Sequence, residues 1–276
     1  MNRLKDRLSL SYSDRAELSS SNCGKKLFEL MEEKKTNLTF AVDIPDSQKV
    51  LRLSRDLGEE IAVLKTHIDI LPDYCPAFIE ELKDLSKDFD FLLFEDRKFI
   101  DIGNTVKLQY SCGFYNIANW AHITNAHALP GPGVIDGLYE VAKPMMKRGL
   151  NRGIVLLAQM TSKGTLATGE YTEKTVAMAN KYPEYVMGFI GAGSVPSDLN
   201  KLASMAELHQ IIMTPGVKMG ARYGALGQRY AGPEEAVAAG SDNIIVGSGI
   251  YETNDPIEAA RKYREIGWEA YITRMK

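Results

Sequence analysis

FDFLLFED, residues 89–96, drives four consecutive apolar residues, 91–94, straight into Glu95 and Asp96. A strand with one wet face alternates apolar and polar side chains, whereas a strand covered on both faces by helices reads as a near-continuous apolar run. Seven further stretches share this look: LTFAVD (38–43), IAVLKTHIDI (61–70), WAHITNAHAL (120–129), GIVLLAQM (153–160), YVMGFIGA (185–192), QIIMTP (210–215) and NIIVGS (243–248). Eight buried strands are therefore expected. Between them lie segments of helical period. Phe78, Ile79, Leu82 and Leu85 fall at i, i+1, i+4 and i+7, and Val50, Leu51, Leu53 and Leu57 form a comparable stripe behind an N-cap at Asp46 or Ser47. Strand and helix thus alternate along residues 38–276, which fits an α/β protein built as a (β/α)8 TIM barrel, usually about 250 residues long. An open doubly wound sheet is the alternative, because strand count does not prove closure. Residues 1–37 read as a short N-terminal extension with one helix, CGKKLFELMEEKK, and no Gly/Ser- or Pro-rich linker marks a second domain.

The composition, 45% hydrophobic and 25% charged, supports a large core and excludes a disordered chain. A net charge of −3 gives no reason to expect a nucleic-acid or polybasic membrane surface. No signal-peptide core or 18-residue apolar run is present, and the three cysteines, Cys23, Cys75 and Cys112, show no CxxC or zinc spacing. A soluble, cytoplasmic protein with reduced thiols is expected.

Barrel active sites gather at the C-terminal ends of the strands, so polar residues there are candidates. Asp43 closes the first strand, Lys65 and His67 lie late in the second, Asp96 and Lys98 end the third, and Asn125 and His127 follow the fourth. Thr161, Pro215 and Ser248 close the fifth, seventh and eighth. Side-chain alternation places Asp96 and Lys98 on one face and Glu95 and Arg97 on the other. A bare Asp-x-Lys also reads as a rim ion pair. With Lys65, Asp43 and Asp101 in comparable positions, a pocket for an anionic substrate and a proton transfer at Lys98 becomes the sharper reading. His67 and His127 with Asp43 lack HExxH spacing, so no metal is expected.

The stretches FEDRKFIDIGNTVKLQY, LKTHIDIL, NAHALPGPGV, SKGTLATGEYT, MTPGV and GSDNIIVG together resemble the orotidine 5'-phosphate decarboxylase family, most of all its eukaryotic branch. The resemblance extends from about Arg15 through Trp268. It implies a lyase of pyrimidine biosynthesis that removes carbon dioxide from C6 of orotidine monophosphate without a cofactor, giving uridine monophosphate. Carried over, the charged tetrad is Lys65, Asp96, Lys98 and Asp101, with Lys98 protonating C6 and Asp96 against the departing carboxylate. Asp101 and Thr105 are implied to reach the neighbouring site of a homodimer. Asp43 and Lys65, and His67 less directly, hold the ribose. Thr161 matches a serine that reads the pyrimidine. Pro215 and residues 216–230 form a lid, with Gln228 and Tyr230 at the phosphate and the Gly247 backbone closing the cradle. The lid segment GVKMGARYGALGQRY carries four glycines and no clear period, as a closing loop after the seventh strand should.

The chain departs from the family pattern at several points. Ser248 stands where the family has an arginine that pairs with the phosphate, Ala41 replaces a serine, Gln159 a glutamate, Ile100 an alanine and His122 an aspartate. Arg222 or Arg229 is expected to supply the missing charge. These departures leave two other readings open, a decarboxylase for a related, non-phosphorylated or modified nucleoside and a nucleotide-binding paralogue with little turnover.

Overall fold

The computed structural model describes residues 3–220 and 230–276. Its strands are β1 (Leu38–Ala41), β2 (Val63–Thr66), β3 (Leu92–Phe99), β4 (Ile123–Ala126), β5 (Gly153–Leu157), β6 (Val186–Ile190), β7 (Ile211–Thr214) and β8 (Asn243–Val246). All pair in parallel in sequence order, and β1 pairs with β8, so the sheet closes and the open-sheet alternative is ruled out. Apolar runs without alternation behave as their composition requires: seven of the eight strands are buried along their whole length, and β3 is buried up to Glu95. One set of side chains fills the barrel and the other meets the helices, so neither face is left to water.

Two expected strands are cut short. The run at 61–70 gives way to a 3-10 turn at Ile68–Ile70, and the run at 120–129 is preceded by another at Ile117–Asn119. The third strand does the reverse and continues to Phe99, but irregularly. The four steps from Glu95 to Phe99 stand opposite only two, from Thr124 to Ala126, so β3 bulges at the rim. Lys98, inside the bulge, has φ +51°. A non-glycine residue in that region costs about 1–3 kcal/mol, which the surroundings must offset.

The N-terminal extension differs from the single helix expected. It forms three, α1 (Arg3–Ser9), α2 (Tyr12–Glu17) and α3 (Asn22–Lys34). The first two are too short to show an amphipathic period, and α2 begins with a capping box between Ser11 and Asp14 that serves the purpose of a longer signature. They are anchored by charge. Arg7 and Arg15 reach, fully buried, to Asp242, which also receives Arg274 from the C-terminal helix Pro256–Arg274. Arg7 Nη1 lies 2.8 Å from Asp242 Oδ2 and donates to the Gln210 carbonyl at 2.9 Å. Asp242 and Gln210 immediately precede β8 and β7, so the extension covers the end of the barrel opposite the mouth. Tyr12 adds a stacked contact on Tyr271, with ring centroids 3.9 Å apart.

Beside the rim, the helices Gly103–Ser111 and Gly133–Lys147 touch backbone to backbone. A Cβ on Gly137 would fall 2.1 Å from the Gly103 carbonyl oxygen, so glycine is needed for this approach, which fixes the segment after β3.

Candidate active site

At the mouth, the ends of β1, β2 and β3 bring five ionisable groups into one array. Lys65 Nζ lies 3.2 Å from Asp43 Oδ1 and 3.1 Å from Asp96 Oδ2. Lys98 Nζ lies 2.5 Å from Asp96 Oδ1. His67 bridges the two acids, with Nδ1 2.7 Å from Asp43 and Nε2 3.1 Å from Asp96. The bulge that carries Asp96 and Lys98 is held by Asn125: its Oδ1 accepts from the Lys98 backbone N–H at 2.6 Å, and its Nδ2 donates to Asp96 Oδ1 at 2.6 Å. Glu95 points the other way, as alternation requires. It is buried, accepts hydrogen bonds from Thr66 Oγ1 and the Ile68 backbone N–H, and is pushed up to about 7 by burial in spite of them.

Burial works against every charge in this array, and partners overcome it. Asp96 and Asp43 hold Lys65 above the ordinary lysine value although the ammonium is buried. Asp96 faces the same desolvation, yet Lys65, His67 and Lys98 keep it well below the carboxylate range. Asp43 falls to about 2, its burial outweighed by His67 and Lys65. His67 rises to about 9 because its hydrogen bonds to Asp43 and Asp96 exceed the cost of burial. At neutral pH the imidazole is therefore a third cation. Two carboxylates among three cations leave the mouth able to accept an anion.

A cavity of about 330 Å³ extends from this array across the mouth. Asp43, Lys65, His67, Asp96, Lys98, Thr161, Pro215, Tyr230, Gly247 and Ser248 all line it. Asp101 and Thr105 do not. Asp101 is exposed, accepting from the Ile102 backbone N–H at 2.7 Å, and Thr105 sits half-buried on the helix Gly103–Ser111. Gln228, Arg222, Arg229 and most of the lid lie outside the described residues.

The departures sort by position. Gln159 lines the cavity but its amide is committed, with Nε2 donating to the Asp198 carbonyl at 2.7 Å and Oε1 accepting from the Ala192 N–H at 3.0 Å. Ala41 is buried, and its carbonyl oxygen lies 3.2 Å from where a Cβ on Gly247 would stand. His122 precedes β4, away from the mouth; its Nδ1 accepts from the Leu93 N–H at 2.9 Å, and burial lowers it to about 4. It is a neutral, partly buried histidine with a structural hydrogen bond. Ile100 is half exposed beside Asp101. Two residues receive no role of their own from the sequence. Asn125 reads there only as a polar residue at a strand end, although an amide placed opposite Asp-x-Lys is the available signal. Lys218 follows β7 in the run MTPGVK and carries no recognisable motif.

A model of the family described as orotidine 5'-phosphate decarboxylase / HUMPS matches residues 36–263. The orotidine 5'-phosphate decarboxylase of Phycomyces blakesleeanus is 47% identical over 268 residues, covering 96% of both chains. The enzyme of the same name from Rhizopus oryzae is 47% identical over 266 residues, and that from Schizosaccharomyces pombe 46% over 267, each again covering 96% of both chains. Among solved structures, orotidine 5'-monophosphate decarboxylase from Methanocaldococcus jannaschii, complexed with the inhibitor BMP, aligns with a TM-score of 0.66 at 23% identity. It covers 84% of this chain and 98% of its own. The corresponding protein from Pyrococcus horikoshii aligns at 0.63 and 21%, covering 83% and 98%. At such identity these two structures speak for the fold.

Proposed function

The chain belongs to the orotidine 5'-phosphate decarboxylase / HUMPS family, and as a carboxy-lyase it converts orotidine 5'-monophosphate into uridine 5'-monophosphate; we propose that Lys98 is its proton donor and that no cofactor takes part. The supporting observation is the single carboxylate of Asp96 held within 3.1 Å of both Lys65 and Lys98 in a partly desolvated mouth. The C6–carboxylate bond breaks, carbon dioxide leaves, and the electron pair left on C6 takes a proton from Lys98 Nζ. The resulting amine regains a proton from solvent. Asp96 lies against the departing carboxylate and keeps the ammonium aimed, so positioning and preorganised charge do the chemistry. Asp43 and Lys65 hold the ribose hydroxyls with His67 behind them, while Thr161 meets the pyrimidine beside an apolar wall of Leu157, Met160, Ile190 and Ile245. Pro215 and Tyr230 belong to the lid, and Gln228 is assigned to the phosphate from the resemblance alone.

The tetrad is completed by a second copy of the chain in this proposal. Asp101 and Thr105 do not line their own cavity, and their segment exposes Ile100, Ile102, Leu108 and Phe114, apolar surface suited to burial against another protomer. Retention of all four charged residues weighs against a mere nucleotide-binding paralogue, since unused desolvated charges are costly. Identity near 46% across almost the whole chain weighs against a different nucleoside substrate. Among the described residues no helix is long and apolar enough to cross a membrane. We place the enzyme in the cytoplasm, with a small-molecule substrate and no nucleic-acid or membrane partner.

The test is loss of the orotate ultraviolet band. Lys98→Ala is expected to lower kcat by about 10²- to 10⁴-fold, the usual range for a general acid. Mixing inactive Lys98→Ala and Asp101→Ala proteins should restore activity, because one site of the mixed dimer then holds both residues. Full activity in Lys98→Ala removes its assigned role; no recovery on mixing removes the shared site.

A further inference from the structure

We propose that Lys218 is the cation that receives the substrate's 5'-phosphate, an inference that rests on the nucleotide reading of the cavity. Four cationic side chains line the cavity among the described residues: Lys65, His67, Lys98 and Lys218. Each of the first three has a carboxylate oxygen within 3.2 Å. Lys218 is different. Its Nζ donates to Ser248 Oγ at 3.1 Å, and the carboxylate it meets, Glu252, is 3.8 Å away and largely exposed. The ammonium also lies 5.8 Å from the centroid of the Tyr230 ring.

Its place in the barrel matters as much as its charge. Lys218 follows β7, and Lys98 ends β3; in a closed ring of eight strands these are opposite one another. A ligand whose reacting carbon sits at Lys98 therefore extends toward Lys218 across the mouth. There the loops after β7 and β8 meet, the usual phosphate position of this architecture. Gly216, Gly247 and Gly249 line that end, so backbone rather than side chains borders the space. Ser248 contributes a hydroxyl but no charge, and it fixes the one described cation beside it. An incoming phosphate dianion outcompetes the loose Glu252 contact and accepts from both Lys218 and Ser248.

Calorimetric titration of the intact protein with uridine monophosphate and with uridine tests this assignment. Lys218→Ala should weaken uridine monophosphate binding by about 30-fold or more, the lower end for truncating one partner of a charge pair, and change uridine binding by less than about twofold. Lys218→Arg should keep most of the preference for the nucleotide. Lys218→Gln keeps a donor for Ser248 without the charge, and should lose the preference as Lys218→Ala does. If either neutral variant retains the wild-type preference, the assignment is wrong although the nucleotide reading stands. If the wild-type protein binds uridine as tightly as uridine monophosphate, both fail.

Discussion

His67 stands between two carboxylates with both ring nitrogens engaged, and its proton is part of the site's charge balance. Its folded-state value of about 9 lies above the ordinary imidazole value, so the stabilisation it brings is fully present below about pH 6.5 and is lost as pH rises through about 9. Asp43 contributes the opposite way: its depressed value gives stability above the ordinary carboxylate range, lost as pH falls toward about 2. The thermal midpoint is therefore expected to decline between pH 7 and 9.5 more steeply in the wild type than in His67→Asn, and the His67 ring proton should titrate near 9 by NMR. Parallel alkaline profiles for the two proteins, or a ring titration near 6.5, would show that the imidazole is not held by the acids.

The bulge in β3 turns a wall element into a support for chemistry. Asn125 lines the cavity, and its amide grips the Lys98 backbone and the Asp96 carboxylate from the neighbouring strand. Asn125→Ala is expected to lower kcat by about 10²-fold, as misplacement of reacting groups by an ångström does, while the dissociation constant for uridine monophosphate changes little. Equal loss in both quantities would mean that Asn125 acts on binding instead. Here the limit of the sequence is visible. Alternation correctly pairs Asp96 with Lys98 and sends Glu95 away, but it presumes a regular strand. The left-handed backbone at Lys98 is chosen by contacts with β4, more than twenty positions away, and leaves no glycine to announce it. Lys218 is illegible for a related reason: its meaning comes from Ser248, just past the end of the next strand and thirty positions on.

For the molecule as a whole, the barrel was readable because eight apolar runs each needed two covered faces, a demand that near-neighbour composition expresses directly. The extension was not, because its attachment is electrostatic and distant. Only its third helix, Asn22–Lys34, is long enough to show a period; the first two are too short, and Arg7 and Arg15 look like ordinary surface charges until Asp242 is set beside them. Burial lowers Arg7 to about 9, with Arg15 and Arg274 adding to the effect and Asp242 opposing it. Asp242→Asn leaves these guanidinium groups buried without their counter-charge and is expected to cost about 3–5 kcal/mol in urea unfolding; coincident curves would show that the staple contributes nothing. The same attachment has a consequence for how the protein is made. Emerging from the ribosome amino end first, Arg7 and Arg15 must wait for residue 242, as β1 waits for β8, before either can settle. Protease resistance is thus acquired late in synthesis and all at once, and a chain stalled before residue 242 remains an open sheet with a sticky edge.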